Sequence, residues 1–316
     1  MGSTLEYIIR FNKHKIMMHH IVESQQFNRK SIGDIFALAD TLEHTRDQSL
    51  TGKIMASLFY EPSTRTRFSF ESAMLRLGGS VSTTENAKEF SSVSKGETLE
   101  DSIRIVNTYV DIIVLRHDEE GASKRASLVS QVPIINAGDG TGQHPTQALL
   151  DLYPIPRELG KIDGIHSAVV GDLHPGRTIR SLSYLLGNFN NITIDFVSPE
   201  GLRVGDDIKL YLTEHGVTFH ETEDLDALKE KIDVLYQTRI QKERFKSDQE
   251  YRKFKGCYQI DRKFADQMKE RSIIMHPLPR VDEILPEVDA SPRAVYFRQA
   301  HYGLLIRMAL LKHLFT

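Results

Sequence analysis

Short apolar runs alternate with amphipathic segments along most of this chain, and that alternation decides the fold class. Residues 54–60, 111–116, 132–137, 167–172, 192–197, 234–239 and 273–275 read as buried strands. Between them, Ile35, Leu38, Ala39 and Leu42 fall at i, i+3, i+4 and i+7 of a helix over 31–42. Phe70, Ala73, Met74 and Leu77 repeat that spacing, and Gly78-Gly79 stops the helix they define. Segments 100–109, 177–186, 210–215 and 300–314 read as further helices, and His144-Pro145-Thr146-Gln147 opens one through Leu149, Leu150 and Leu152. Strands separated by helices imply parallel sheets covered on both faces. At 316 residues the chain is long for one core, and two domains of about 150 residues each are expected. The fold class is therefore α/β, with two doubly wound parallel-sheet domains. Residues 80–98 are small and polar and read as a mobile loop, and residues 1–25 as a loosely held extension.

In open parallel sheets, ligands bind beyond the carboxyl ends of the strands. Arg65, Arg116, His144, Arg177, Arg239 and the Leu278-Pro279 turn all follow predicted strands closely. A single arginine after a strand is commonly just solvated; six such positions form a set. The most informative stretch is Glu61-Pro62-Ser63-Thr64-Arg65-Thr66-Arg67, where a strand hands over to a helix. A helix start offers unpaired N–H groups and the positive end of the dipole. The hydroxyls of Ser63, Thr64 and Thr66 and the Arg65 guanidinium add donors suited to a phosphate-sized dianion. The bland alternative is an ordinary N-cap beside a solvated arginine pair.

Composition narrows the function classes. A net charge of -3 argues against general nucleic-acid or membrane-surface binding. No run approaches the ~20 apolar residues of a membrane span. The one cysteine, Cys257, allows no internal disulfide and suggests a reducing compartment. The N-terminal residues lack a secretory apolar region and a cleavage signature, so a cytoplasmic location is expected, with an organelle left open. No His/Cys/carboxylate cluster has metal-ligand spacing and no nucleophile elbow is present, so neither metal nor cofactor is expected.

Ser63-Thr64-Arg65-Thr66-Arg67 resembles the carbamoyl-phosphate signature of the aspartate and ornithine carbamoyltransferases, and His144-Pro145-Thr146-Gln147 resembles their second shared motif. The Asp-x-x-x-Ser-Met-Gly segment and His-Cys-Leu-Pro turn of the ornithine branch are missing. His276-Pro277-Leu278-Pro279-Arg280 and the run 238–244 (Thr-Arg-Ile-Gln-Lys-Glu-Arg) are similar to the aspartate branch, the plant type in particular. The likeness runs from about Val22 to the C-terminus. Aspartate also suits the charges: Arg177 and Arg239 can clamp carboxylates bidentately, whereas the extra cation of ornithine would be repelled.

The resemblance implies attack by the aspartate amine on the carbamoyl carbon, with phosphate leaving, as the committed step of pyrimidine (UMP) biosynthesis. It implies no metal, no cofactor and no covalent enzyme intermediate, so catalysis rests on positioning and electrostatics. The active site would lie in the cleft between the domains. Residues 1–146, completed by the C-terminal helix 296–316, would form the carbamoyl-phosphate domain, and 147–295 the aspartate domain. Ser63, Thr64, Arg65 and Thr66 would hold phosphate. Arg116, His144 and Thr66 would face the carbamoyl oxygen, and Gln147 the carbamoyl NH₂. Arg177, Arg239 and Gln241 would hold aspartate, with Leu278 and Pro279 lining the pocket. Glu61 would bridge Arg177 and Arg244 and favour domain closure. Ser91 and Lys95 would reach a neighbouring subunit's site, which implies a homotrimer with shared sites.

Plain alternatives stand beside these roles: His144 as a helix-capping histidine, Arg239 as part of a solvated basic face with Lys242, Arg244 and Lys246, and Lys95 on a solvated loop. One departure from the family pattern is His174-Pro175, which leaves Arg177 in register but leaves the loop shape open. A transferase using another amine, and a non-catalytic binder of anionic metabolites, are the competing functions. A regulatory chain and uridylate inhibition stay open, the latter suggested by the plant-type likeness.

Overall fold

The predicted apolar runs become nine strands in two sheets among the residues that the computed structural model describes, 20–87, 96–174, 176–240, 245 and 247–316. The first sheet contains β1 (Ile54–Phe59), β2 (Ser80–Glu85), β3 (Ile112–His117) and β4 (Ile134–Asp139), in the order β2-β1-β3-β4. The second contains β5 (His166–Val170), β6 (Thr193–Val197), β7 (Thr218–Thr222), β8 (Val234–Gln237) and β9 (Ile273–Met275), in the order β7-β6-β5-β8-β9. Every pairing is parallel.

The inner strands β1, β3, β5 and β8 are buried along nearly their whole length. Covered on both faces, they carry no polar alternation, which is why they read as continuous apolar runs. The edge strands β4 and β9 are buried as well, but the edges β2 and β7 are different. Residues 80–85 were expected to be loop, yet Ser80–Glu85 pairs with β1 from Ile54↔Ser80 to Phe59↔Glu85. β7 was not anticipated at all. Both strands are polar (Ser-Val-Ser-Thr-Thr-Glu and Thr-Phe-His-Glu-Thr) and partly exposed, because an edge strand gains its backbone bonds from one neighbour and needs little apolar surface. Within the rest of the predicted loop, residues 88–95 lie outside the described residues.

Helices fill the connections: α1 (Arg29–Glu43), α2 (Thr64–Arg76), α3 (Leu99–Val106), α4 (Ala122–Val129), α5 (Pro145–Leu152), α6 (Pro154–Leu159), α7 (Arg177–Leu186), α8 (Asp206–Glu214), α9 (Asp248–Arg252), α10 (Arg262–Gln267) and α11 (Tyr296–Phe315). Asn28 caps α1 by accepting the Ser31 N–H, and Thr98 caps α3 by accepting that of Asp101. α1 buries Ile32, Ile35, Phe36, Ala39 and Leu42 on one face; each large side chain contributes roughly 1.5–3 kcal/mol. α11 returns from the end of the chain to pack on α1, α2 and α5, and α5 packs on α7. α5 and α11 therefore run along the seam between the sheets.

Strand order reverses between β1 and β3 in one sheet and between β5 and β8 in the other. Such reversals open crevices at the carboxyl ends of the strands. Arg116 sits at the first crevice, in register with Phe59. Gly171 and Thr238 form the second. Gly171 has φ 125°, and a Cβ there would lie 2.5 Å from the Thr238 carbonyl oxygen. Gly171→Ala is therefore expected to cost about 2 kcal/mol or more in a urea unfolding series; a loss below about 0.5 kcal/mol, the range of an ordinary surface change, contradicts this packing.

Candidate active site

One cleft of about 1020 Å³ opens over both strand-order reversals. Its wall takes Glu61, Ser63, Thr64, Arg65, Thr66, Arg116, His144 and Gln147 from the first half, and Arg177, Arg239, Leu278 and Pro279 from the second. Twelve sequence-selected positions thus share one cavity. The other four, Ser91, Lys95, Gln241 and Arg244, lie outside the described residues, as does Pro175.

At the first crevice Ser63 is the N-cap residue of α2, but its side chain makes no capping hydrogen bond. The ordinary-cap alternative therefore does not describe it. The first N–H groups of α2 have no acceptor within the helix, and Thr66 is buried beside them while Thr64 and Arg65 line the cleft with solvent-exposed side chains. Partial burial lowers the Arg65 guanidinium from its usual value. An arginine in this setting keeps its charge.

Arg116 is only 7% exposed. Burial, then the Arg177 charge, push it down to about 10, against the pull of Glu61. Its Nη2 lies 2.9 Å from Glu61 Oε2, and its Nη1 donates to the Ala137 carbonyl at 3.2 Å. Gly138 (φ 113°) makes this approach possible, since a Cβ there would lie 2.9 Å from Arg116 Nη1. Arg177, the first residue of α7, reaches the same Glu61 oxygen at 3.4 Å and donates to the Gly140 carbonyl at 2.8 Å. Glu61 thus meets guanidiniums from both halves of the chain. The Arg116 contact has no counterpart in the sequence reading. With the Glu61 side chain 37% exposed, each link contributes on the order of 1 kcal/mol or less.

His144 precedes α5, and its ring makes no capping bond either. Its backbone N–H donates to Ser181 Oγ at 3.0 Å, fixing α5 to α7. Burial first, then the charges of Arg177, Arg116 and Arg307, hold its pKa well below the ordinary histidine value. The ring is therefore neutral at neutral pH. Thr146 Oγ1 is 3.4 Å from Nδ1, while the buried Nε2 has no hydrogen-bond partner among the described residues. Nε2 is thus the ring nitrogen left for a ligand. Among the described residues, no three His, Cys, Asp or Glu side chains are grouped to hold a metal ion.

The second crevice is shaped by a buried histidine, the first residue of the 276–280 motif, to which the sequence assigns no role. His276 Nδ1 accepts the Leu278 N–H at 2.8 Å, and its Nε2 lies 2.7 Å from Glu283 Oε1. An acceptor on one nitrogen and a donor on the other is the neutral form, and burial favours it. This bond holds Leu278 at φ 50°, a left-handed conformation costing about 1–3 kcal/mol in a non-glycine residue. Thr238 Oγ1 donates to the Val170 carbonyl at 2.8 Å and ties the segment carrying Arg239 to β5.

Arg307 of α11 also lines the cleft and was missed. It is 4% exposed, lies 4.9 Å over the Phe70 ring and donates to Ser69 Oγ. Burial pushes its pKa down to about 9, although Asp151 opposes that shift. The available signal was one arginine inside Leu304-Leu305-Ile306-Arg307-Met308-Ala309-Leu310-Leu311. A charge on the buried face of a helix needs a local reason.

Comparison with known proteins agrees with this geometry. The aspartate/ornithine carbamoyltransferase carbamoyl-P binding domain matches residues 19–157, and the Asp/Orn binding domain of the same family matches 163–314. The chain is 56% identical over 304 residues to aspartate carbamoyltransferase 3, chloroplastic, of Pisum sativum, covering 94% of this chain and 78% of the relative. It is 54% identical over 302 residues to the aspartate carbamoyltransferase catalytic subunit of Methanocaldococcus jannaschii, covering 94% and 98%. A crystal structure of the M. jannaschii catalytic subunit superposes with a TM-score of 0.88 at 53% identity, over 94% of this chain and 98% of that one. Trypanosoma cruzi aspartate transcarbamoylase, solved in complex with N-(phosphonacetyl)-L-aspartic acid, gives 0.87 at 44% identity, over 92% and 94%. The chain belongs to the aspartate/ornithine carbamoyltransferase family.

Proposed function

We propose that this chain transfers the carbamoyl group of carbamoyl phosphate to the α-amino group of L-aspartate, giving N-carbamoyl-L-aspartate and phosphate. The observation that carries this reading is one cleft with arginines from both strand-order reversals and a neutral histidine among them. The relatives named above are aspartate carbamoyltransferases, and T. cruzi aspartate transcarbamoylase has been solved with carbamoyl phosphate and aspartate together.

In this reading Ser63, Thr64, Arg65 and Thr66 hold the phosphate at the start of α2. The aspartate nitrogen attacks the carbamoyl carbon, and charge grows on the carbamoyl oxygen beside Arg116, His144 and Thr66. A preorganised donor at such an oxygen contributes roughly 3 kcal/mol to the barrier reduction. The bond from carbon to the bridging oxygen then breaks. The amine's proton leaves with the phosphate, so no side-chain base is required. Gln147 receives the carbamoyl NH₂. Arg177, Arg239 and Gln241 take the two aspartate carboxylates, with Leu278 and Pro279 beside them. Residues 1–146 with helix 296–316 serve the first substrate, and 147–295 the second. Closure draws on Glu61 with Arg177 and Arg244.

The assembly we propose is a homotrimer in which Ser91 and Lys95 complete a neighbour's site. The compartment is the cytoplasm or a reducing organelle; the matching plant relatives are named chloroplastic.

An amine panel with carbamoyl phosphate, followed by phosphate release, tests the reaction. Aspartate is expected to be the preferred amine, and preference for ornithine contradicts the proposal. In the same assay uridylate is expected to compete with carbamoyl phosphate; inhibition that excess carbamoyl phosphate does not relieve removes that mode of control. For the assembly, mixing Arg65→Ala chains with Lys95→Ala chains is expected to restore part of the lost activity. Verified mixed oligomers with no recovery contradict shared sites.

A further inference from the structure

Three side chains from three elements converge on one buried carboxylate that the proposed reaction does not use. Asp151 lies one helical turn after Gln147 in α5 and has 0% exposure. Gln147 Nε2 and Gln299 Nε2 donate to its Oδ1 at 2.8 and 2.6 Å, and Tyr236 OH donates to its Oδ2 at 2.6 Å. Tyr236 belongs to β8, three residues before Arg239, and Gln299 belongs to α11. Gln299 Oε1 in turn accepts the His276 N–H at 3.0 Å, in the segment that holds Leu278.

An ionised carboxylate accepts hydrogen bonds and cannot donate them. Asp151 therefore decides which end of the Gln147 amide turns toward it. The NH₂ end does, so the amide oxygen is left for the cleft that Gln147 lines. Burial pushes the Asp151 carboxyl up, to about 7 against the opposing pull of the three donors and the Arg307 charge, which favour its ionised form.

The orientation matters because of what distinguishes a carbamoyl from an acetyl group. The two are nearly isosteric, and the carbamoyl group carries NH₂ where acetyl carries CH₃. An amide oxygen accepts from that NH₂, and an amide nitrogen does not. We propose that Asp151 is a positioning residue that makes the cleft select a carbamoyl phosphate over an acyl phosphate, by holding the Gln147 oxygen toward the carbamoyl nitrogen. This rests on the reading of Gln147 as the partner of the carbamoyl NH₂. A buried acceptor that a competing ligand leaves unmet discriminates strongly, whereas shape alone discriminates weakly.

The experiment uses the full chain at pH 8, with acetyl phosphate as inhibitor against carbamoyl phosphate. Its readout is the ratio of the acetyl phosphate inhibition constant to the carbamoyl phosphate KM. Asp151→Leu keeps the approximate size but offers Gln147 no acceptor, so nothing holds the NH₂ end of the amide inward. The ratio is expected to fall about tenfold or more. Gln147→Ala is expected to lower it similarly, and adding Asp151→Leu to Gln147→Ala to lower it no further. Tyr236→Phe keeps the ring and two of the three bonds to Asp151; its ratio is expected to fall about twofold or more, and it carries the test if Asp151→Leu does not fold. A residue with only a structural role weakens both phosphates alike. An unchanged ratio in the folded variants therefore overturns the assignment of Asp151. A wild-type chain that binds neither phosphate overturns the proposed reaction instead.

Discussion

Cationic side chains have to be held close together, out of water, before any substrate arrives, and the rest of the structure depends on that constraint. Arg116 and Arg307 are nearly fully buried, and both are pushed down, to about 10 and about 9. Burial is the larger cause in each, and neighbouring guanidiniums add to it. Charges placed this way are unfavourable on their own. They become favourable toward an anion, because water screens the attraction of a buried charge little. Burial, and after it the same charges, keep His144 neutral, so its ring can donate through one nitrogen without adding a further charge.

Parallel sheets supply the rigidity this needs. Each strand-order reversal leaves a crevice floored by backbone, and glycines at 138 and 171 let side chains and strands come close to that floor. The two crevices face one cavity because α5 and α11 run along the seam, joined by the Asp151 hydrogen bonds. Glu61 occupies a middle position. In this structure its carboxylate lies between Arg116 and Arg177, one from each half.

The inner strands and the positions at their ends were legible in the sequence, because burial on both faces leaves an apolar run that a charged residue ends abruptly. Arg116 and Arg177 are examples: one closes the run of β3, and the other opens the helix that follows β5. The edge strands β2 and β7 were not legible, since a strand with one wet face and one paired neighbour can be built from serine, threonine and glutamate. The seam was also hidden. Asp151 meets Gln299 across 148 residues of chain, and Ser69 meets Arg307 across 238. No local period marks a pairing at such a separation. Arg307 gave a partial signal as a charge in an apolar helix, and Asp151 gave none beyond its place one turn after Gln147.

One cavity is lined both by the start of α2 and by Arg177 and Arg239 from the second sheet, and the proposed reaction requires them to hold the phosphate and carboxylate ends of one ligand together. Titration of N-(phosphonacetyl)-L-aspartate, which joins a phosphonate to two carboxylates, tests it most directly. One molecule is expected to bind per chain, and either Arg65→Ala or Arg239→Ala alone is expected to weaken it at least about tenfold, the loss of one charge-assisted contact. Wild-type affinity in either variant would contradict a single site spanning both sheets.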